Sequence, residues 1–352
     1  MSKKTMAVLF GGCSSEHEVS CMSVLNVLDY LDREKYQIVL VGITKEGEWL
    51  KVESEEEIRS GAWRESKVHA VISPDRTAKA LLVEEAGAWT QIPLDVVFPV
   101  LHGLYGEDGT VQGLLELAHI PYVGCGVVSS AATMDKWFTK RLVAGTGIRQ
   151  ADYVILFDHN LEDENAMAAK VEAKLAYPVF VKPCNAGSSQ GVTKAEDRAG
   201  LIEAVRLAAK HDRKILIEET IVGREIECAV LGGRIIDASG VGEILAAADF
   251  YDYDAKYNTA ESKTVIDPDL PADVVEEIRQ DALKIFRSLD CYGLSRVDFF
   301  VRDNREVIFN EINTIPGFTS ISMYPMLWEN RGIGKRQLVD RLVELAFERE
   351  GR

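Results

Sequence analysis

The sequence predicts an α/β protein in three parts: an N-terminal open parallel-sheet domain over residues 1–128, a central α+β unit over 129–222 and a C-terminal unit over 223–352. Three observations carry this prediction. In the first third, apolar runs rich in β-branched residues, such as Tyr36–Ile43 and Val96–Leu101, alternate with helical periodicity, as buried parallel strands and their crossover helices do. A second alternating unit begins at Asp152, compact enough to be an α+β layer of its own. Beyond residue 224 strands return, and two apolar ones flank a turn at Asp303-Asn304. At 352 residues the chain also exceeds the roughly 250–300 that one core usually holds.

Composition narrows the function. Hydrophobic residues make up 47% and charged ones 27%, which describes an ordinary globular protein. A net charge of −16 argues against nucleic-acid and anionic-membrane partners, which need a basic face, and leaves room only for a local basic pocket. The six cysteines show no C-x-x-C pair and read as reduced thiols of a cytoplasmic protein. The N-terminal apolar run is too short for a signal peptide, and no later run approaches the roughly 20 residues that span a bilayer.

Taken in order, residues 5–10 form an apolar strand broken by Gly11-Gly12, and Val19, Met22, Leu25, Leu28 and Leu31 then recur at helical spacing. The charged stretch 53–87 shows no clear period. After the strand Val96–Leu101 comes His102-Gly103-Leu104-Tyr105-Gly106-Glu107-Asp108-Gly109, at the strand end where ligands of open α/β sheets bind. For His102 alone a merely hydrogen-bonded role is the simpler reading. Helices are expected over 110–118 and 129–144, the latter carrying Asp135-Lys136. The central unit reads as strand Tyr153–Phe157, helix 162–176, strand 178–182, helix 198–209 and strand 215–221.

Within that unit, Val-Phe-Val-Lys182-Pro183 opens into a loop with Gly187, Ser188, Ser189 and Gly191. Backbone amides and hydroxyls of such a loop can turn toward an anion while the lysine reaches in from the strand end. The loop lacks the lysine of a P-loop, and Gly/Ser clusters are more often plain turns, so alone it is only suggestive. The next strand ends in Glu218-Glu219-Thr220-Ile221, which sets a polar group beside an apolar wall.

In the last third, strands are expected over 225–231 and 235–241, a long polar loop with Tyr251, Tyr253 and Tyr257 over 246–263, an amphipathic helix over 271–289, strands over 294–301 and 306–312, and a closing helix over 334–349. Long loops in compact domains are usually functional lids or disordered. Arg296 and Asp298 share one strand face, and hairpin pairing can bring Glu311 beside Asp298. Both carboxylates come from strongly apolar strands, where an unpaired charge is costly. Facing carboxylates of this kind suit Mg²⁺, a hard cation that takes oxygen ligands and substrate phosphates. The loop 314–324 is rich in Gly, Ser and Thr, whose backbone could donate to an oxyanion.

Taken together, these residues resemble the ATP-grasp fold and, within it, the D-alanine:D-alanine ligase family. The resemblance covers nearly the whole chain: Gly11-Gly12 through Glu16-His17-Glu18-Val19-Ser20, His102 to Gly109, Met134-Asp135-Lys136, Lys182 to Gly191, Tyr251 to Tyr257, Arg296-Val297-Asp298, and Asn310-Glu311-Ile312-Asn313-Thr314 through Pro316-Gly317. Seven such motifs in one order are highly specific. The resemblance implies ATP between the central and C-terminal domains, with Lys136, Lys182 and Ser189 on the phosphates, Glu218, Glu219 and Ile221 at the adenine and Glu225 at the ribose. It implies two Mg²⁺ ions, replaceable by Mn²⁺, on Asp298, Glu311 and Asn313.

The same resemblance implies transfer of the γ-phosphoryl group to the carboxylate of one D-alanine, then attack by the amine of a second. Glu16, Ser188 and Tyr257 would link the three domains at the first D-alanine. Arg296 and the Gly317 amide would face the oxyanion, Lys256 the γ-phosphate, and His102, Ser322 and Met323 the amino-acid subsites. A homodimer is the implied assembly.

Cys184-Asn185, Gln190, Cys21-Met22 and Ile321 depart from the usual pattern, which bears on affinity and on the choice of second substrate. Relatives join D-alanine to D-serine or D-lactate; the tyrosine-rich run 251–257 opposes the lactate type, and Met323 stands where serine-adding relatives tend to carry a basic residue. A non-catalytic bilobal binding protein would not need the carboxylate pair, and the segment Glu16–Ser20 opposes other ATP-grasp ligases.

Overall fold

The computed structural model describes residues 3–187, 190–245 and 263–350, and its strands form three sheets. Ser188, Ser189, Lys256, Tyr257 and the rest of the expected loop 246–262 lie outside the described residues.

Lys4–Gly11 (β1) and Tyr36–Ile43 (β2) begin the first sheet. Trp49–Val52 (β3), His69–Ile72 (β4), Ala80–Glu85 (β5) and Ala88–Pro93 (β6) continue it as an antiparallel meander, and Val96–Leu101 (β7) closes the other edge. β1 runs parallel to both β2 and β7, so the expected parallel core is present and the meander makes the whole sheet mixed. Every residue of β7 is buried, as in strands covered on both faces. The meander occupies much of the stretch that shows no period in sequence. Ala70 and Ile72, then Leu81 and Val83, are buried at alternate positions, a signal too short to stand out among flanking charges.

His17–Tyr30 (α1) covers one face of this sheet. Glu55–Ser60 (α2) is capped by Ser54, which accepts from the Glu57 amide, and ends at Gly61 in the left-handed region. Thr110–Ala118 (α3) follows the turn after β7. The single helix expected over 129–144 is two helices, Val127–Met134 (α4) and Lys136–Ala144 (α5). Asp135 between them is extended, and its carboxylate accepts from the amides of Trp137 and Phe138 at 3.1 Å each. A side chain that caps a new N-terminus breaks the run.

The second sheet contains Tyr153–Phe157 (β8), Val179–Pro183 (β9), Thr193–Ala195 (β10) and Lys214–Glu219 (β11), all antiparallel in the order β10-β9-β11-β8. Glu164–Glu172 (α6) and Arg198–Ala208 (α7) pack on it through Met167, Val171, Leu201 and Val205. α6 is shorter than the helix expected over 162–176, because Asp158–Asp163 forms a 3-10 turn and the Asp163 side chain caps the α-helical turn at Ala166. β11 stops at Glu219, so Ile221 stands beyond the strand expected to carry it.

The third sheet holds Arg224–Gly232 (β12), Ile236–Leu245 (β13), Lys263–Ile266 (β14), Gly293–Arg302 (β15) and Glu306–Asn313 (β16), in the order β14-β13-β12-β15-β16. Ala272–Ser288 (α8) packs Ile278, Ile285 and Phe286 against one face. Met323–Asn330 (α9) and Lys335–Glu350 (α10) come after the last strand, and Leu338 and Leu342 of α10 share a core with Val24 and Leu28 of α1. The first and third sheets are therefore joined by packing between sequence-distant helices. Removing a buried side chain such as Phe286 would cost about 3–5 kcal/mol. Among the described residues no helix is long and apolar enough to cross a membrane, and all six cysteines are free thiols.

Strand periodicity decides what the third sheet presents to the cleft. On β12, Ile226, Cys228 and Val230 join the core under α8, and so do Val297, Phe299 and Val301 of β15. The alternate residues Glu225, Glu227, Arg296 and Asp298 belong to the opposite face and line the cleft. On β16 the phase changes. Asp298 pairs with Glu311 and Phe299 with Phe309, leaving Asn310 as an inserted residue. This bulge lets Val307 and Phe309 enter the α8 core while Glu311 and Asn313 line the cleft, the re-aiming that bulges beside functional sites provide.

Candidate active site

The three sheets enclose a cleft of about 1130 Å³. Its floor is the carboxylate row on the third sheet. Glu227, Asp298 and Glu311 stand opposite one another on β12, β15 and β16. Arg296 donates through Nε to Asp298 Oδ1 and through Nη2 to Oδ2, both at 2.8 Å, and its Nε lies 3.1 Å from Glu227 Oε2. Burial opposes a charged guanidinium, but Asp298 and Glu227 outweigh it and hold Arg296 more firmly protonated than usual. Asn313 donates from Nδ2 to Asp298 Oδ2 at 3.1 Å, which leaves its carbonyl oxygen to accept.

The pairing of Asp298 with Glu311 thus agrees with the hairpin geometry read from sequence. Two carboxylates and an amide oxygen on one face of the sheet are hard donors of the kind Mg²⁺ takes. Arg296 holds both Asp298 oxygens here, and it is the hard-oxygen character of Asp298, Glu311 and the Asn313 carbonyl together that fits a divalent cation at this place.

The opposite wall comes from the second sheet and from α5. Lys136, the first residue of α5, donates its amide to Cys184 O at 3.1 Å and its ammonium to Ala186 O at 2.8 Å, against the loop after Lys182. That loop is fixed from behind. Asn185 donates from Nδ2 to Asp212 at 2.8 Å and to Asp135 at 3.2 Å, and its amide also reaches Asp212 at 2.9 Å. Lys214 pairs with Asp135.

Glu218, buried on β11, binds two ammoniums: Lys140 Nζ at 2.6 Å from Oε1 and Lys182 Nζ at 2.7 Å from Oε2. Burial alone would raise its pKa, yet the two lysines hold it down at about 2. Lys182, which burial would deprotonate, is kept charged by Glu218. Glu219 accepts from Arg149 Nη2 and from the Asp152 amide, each at 2.8 Å. Glu225 and Ile221 line the same part of the cleft.

At the far end stands Glu16, immediately before α1. A Cβ on Gly187 would come within 2.4 Å of its Oε2, and one on Gly103 within 2.5 Å. The Glu16 carboxylate therefore lies against backbone of both the first sheet's turn and the Lys182 loop, where an added methyl would have to push it aside.

His102 contributes differently from a simple subsite wall. A carbonyl can only accept, so Nδ1 carries the proton given to Ile315 O at 2.9 Å, and Nε2 accepts from Ser23 Oγ at 3.1 Å. Burial lowers its pKa despite nearby Glu16, and the ring is neutral. Glu107 holds the same loop, accepting from the amides of Gly103 at 2.9 Å and Ile315 at 2.7 Å. Burial and then the neighbouring Glu16 push its pKa up to about 8. Gly317 and Ser322 line the cleft beyond, with Ser322 Oγ accepting from the Thr319 amide at 2.9 Å. Met323 is buried against β13, where a Cβ on Gly242 would meet its sulfur, and also reaches the cleft.

Every described candidate residue read from the sequence thus borders one cleft. Sequence reasoning passed over Lys140, Glu227 and, as a working side chain, Glu107. Lys140 is four residues after Lys136 on the same helix, and Glu227 two after Glu225 on the same strand, spacings that share a face and could have drawn attention to both.

Known proteins agree with this architecture. Residues 5–125 match the model described as "D-ala D-ala ligase N-terminus", and residues 142–344 match "D-ala D-ala ligase C-terminus". The chain is similar to the D-alanine–D-alanine ligase of Caldicellulosiruptor bescii, 49% identical over 99% of this chain and 96% of that one, and to that of Ruminiclostridium cellulolyticum, 50% identical with the same coverage. Among solved structures, it resembles the VanG D-Ala:D-Ser ligase from Enterococcus faecalis, with a TM-score of 0.90 and 41% identity over 98% of this chain and 100% of that one. It also resembles the D-alanine-D-alanine ligase from Coxiella burnetii, with a TM-score of 0.87 and 35% identity over 100% and 96% of the two chains. Matched in both halves and at about half identity along its length, the chain belongs to the D-alanine–D-alanine ligase family.

Proposed function

We propose that this chain is an ADP-forming ligase that joins two D-alanines into D-alanyl-D-alanine for peptidoglycan synthesis, through an acyl phosphate. The observation that carries the reading is the facing of Asp298, Glu311, Asn313 and Arg296 against Lys136, Lys182 and Glu218 across one cleft, with Glu16 at its end. Cationic and hard-oxygen groups so opposed suit a metal-bound triphosphate.

In this reading three domains, 1–128, 129–222 and 223–352, close around the substrates. ATP lies between the second and third. Lys136, Lys182 and Ser189 hold its phosphates. Glu218, Glu219 and Ile221 border the adenine, and Glu225 takes the ribose. Asp298, Glu311 and Asn313 would hold two Mg²⁺ ions, or Mn²⁺ in their place, whose chemistry is to neutralise charge on the transferring phosphoryl group.

Glu16 takes the ammonium of the first D-alanine and, with Ser188 and Tyr257, ties the three domains together there. That D-alanine's carboxylate oxygen attacks the γ-phosphorus and ADP leaves. The amine of the second D-alanine then adds to the acyl carbon, and phosphate departs with the bridging oxygen. Arg296 and the Gly317 amide stabilise the tetrahedral oxyanion, while Lys256 meets the γ-phosphate and helps exclude water. His102, Ser322 and Met323 shape the amino-acid subsites, His102 by fixing the loop from Ile315. The protein works in the cytoplasm as a homodimer.

D-Serine as second substrate is the competing reading, supported by the likeness to VanG. The relatives at about half identity carry the D-alanine name, and Met323 offers no charge to a hydroxyl-bearing substrate. ADP release with ATP and Mg²⁺ distinguishes these readings when D-alanine is supplied alone and then with D-serine or D-lactate. D-Alanine-dependent release is expected; none would sink the proposal, and preferential use of D-serine would transfer it to the runner-up.

A further inference from the structure

Lys140 stands one turn along α5 from Lys136. Its side chain is 3% exposed and that of Glu218 is 6% exposed, while Lys182 is 18% exposed. Glu218 is therefore bridged on one side by an enclosed lysine and on the other by one that borders the cleft. Lys140 also lies 5.4 Å from the centre of the Tyr153 ring, close enough for a cation–π contact, and its carbonyl accepts from Gln150 at 3.2 Å. These contacts fix it to Tyr153 of the second sheet and to the segment that leads into it.

The arrangement gives one carboxylate two ammoniums. A buried charge stripped of its only partner is strongly unfavourable. Lys182 can move from Glu218 to a nucleotide phosphate at low cost only if another cation stays behind.

We propose that Lys140 is a positioning residue for the nucleotide site: it is the resident partner of Glu218 that frees Lys182 to engage the nucleotide. The proposal rests on the nucleotide reading of this cleft. It makes the Lys140–Glu218 pair constant and the Glu218–Lys182 pair exchangeable, so that the lysine and the polyphosphate do not compete against an uncompensated carboxylate.

The inference predicts an unusual separation of effects. In Lys140→Met, Lys182 still neutralises Glu218 when no nucleotide is bound, so the ligand-free protein melts close to wild type. ADP·Mg²⁺ affinity, read by calorimetry, falls at least ~10-fold, because Lys182 is now retained. KM for ATP rises in step and KM for D-alanine stays within ~2-fold. Lys140→Arg keeps the charge and recovers most of the affinity.

The decisive comparison is Glu218→Gln against Lys140→Met/Glu218→Gln. With Glu218 neutral, Lys182 has nothing to leave, and loss of Lys140 should weaken ADP binding no further than ~2-fold. This pair of variants also serves if Lys140→Met alone does not fold. Unchanged ADP affinity in Lys140→Met, or a further ~10-fold loss on adding it to Glu218→Gln, overturns the inference. Wild type binding no ADP would instead overturn the nucleotide reading itself.

Discussion

Replacing Glu107 by Gln gives a pH signature that depends on the geometry around His102. The carboxyl group accepts from two amides, Gly103 and Ile315, and burial together with the neighbouring Glu16 raises its pKa to about 8. In the unfolded chain it titrates in the ordinary carboxylate range, near 4.3. Between those values the folded protein holds a proton that the unfolded chain has released, so stability falls as pH rises through the window.

The full slope would be about 1.4 kcal/mol per pH unit. Counted from the unfolded-state value, the wild type has lost roughly 0.5 kcal/mol by about pH 4.5 and roughly 3 kcal/mol by about pH 7. Glutamine does not titrate but satisfies only one of the two amides, a loss of ~1 kcal/mol. Glu107→Gln should therefore be slightly less stable than wild type near pH 4.5 and more stable near pH 7. Urea unfolding at both pH values measures this directly. Parallel pH dependence of the two proteins would refute the assignment of Glu107 as a carboxyl titrating in this window.

Two further substitutions address the ends of the cleft. Gly187→Ala would place a Cβ 2.4 Å from Glu16 Oε2 and force that carboxylate aside; kinetics should show KM for D-alanine raised ~10-fold or more with ATP affinity little changed, whereas wild-type behaviour would mean Glu16 is not at the substrate. Glu311→Gln removes one carboxylate of the row. Turnover should fall ~10²-fold or more with melting nearly unaltered, and activity at the wild-type level would refute a metal role for Glu311.

Much of the fold was legible because strand alternation and strong caps are local. The strands Tyr36–Ile43, Val96–Leu101 and Tyr153–Phe157 are almost wholly apolar, and the structure has them with those bounds. The meander from β3 to β6 was hidden because its strands are short and bury few residues among charges. The break at Asp135 was hidden because a carboxylate inside a helical pattern reads as a surface residue until its cap is formed. In the cleft, the Asp298–Glu311 pairing came from the hairpin alone. The bulge at Asn310 did not, since an inserted residue leaves no mark on composition. Lys140, Glu107 and Glu227 acquire their meaning from partners in distant segments, at Glu218, Ile315 and Arg296, and only tertiary packing brings those together.

The central claim is that the carboxylate of one D-alanine is phosphorylated before the peptide bond forms. It is tested most directly by giving the enzyme ATP, Mg²⁺ and D-alanine whose carboxylate oxygens are heavy isotopes, then weighing the released phosphate by mass spectrometry. The account predicts one heavy oxygen carried into each phosphate per dipeptide made, because the bridging oxygen departs with phosphorus. Dipeptide formed alongside unlabelled phosphate would contradict it.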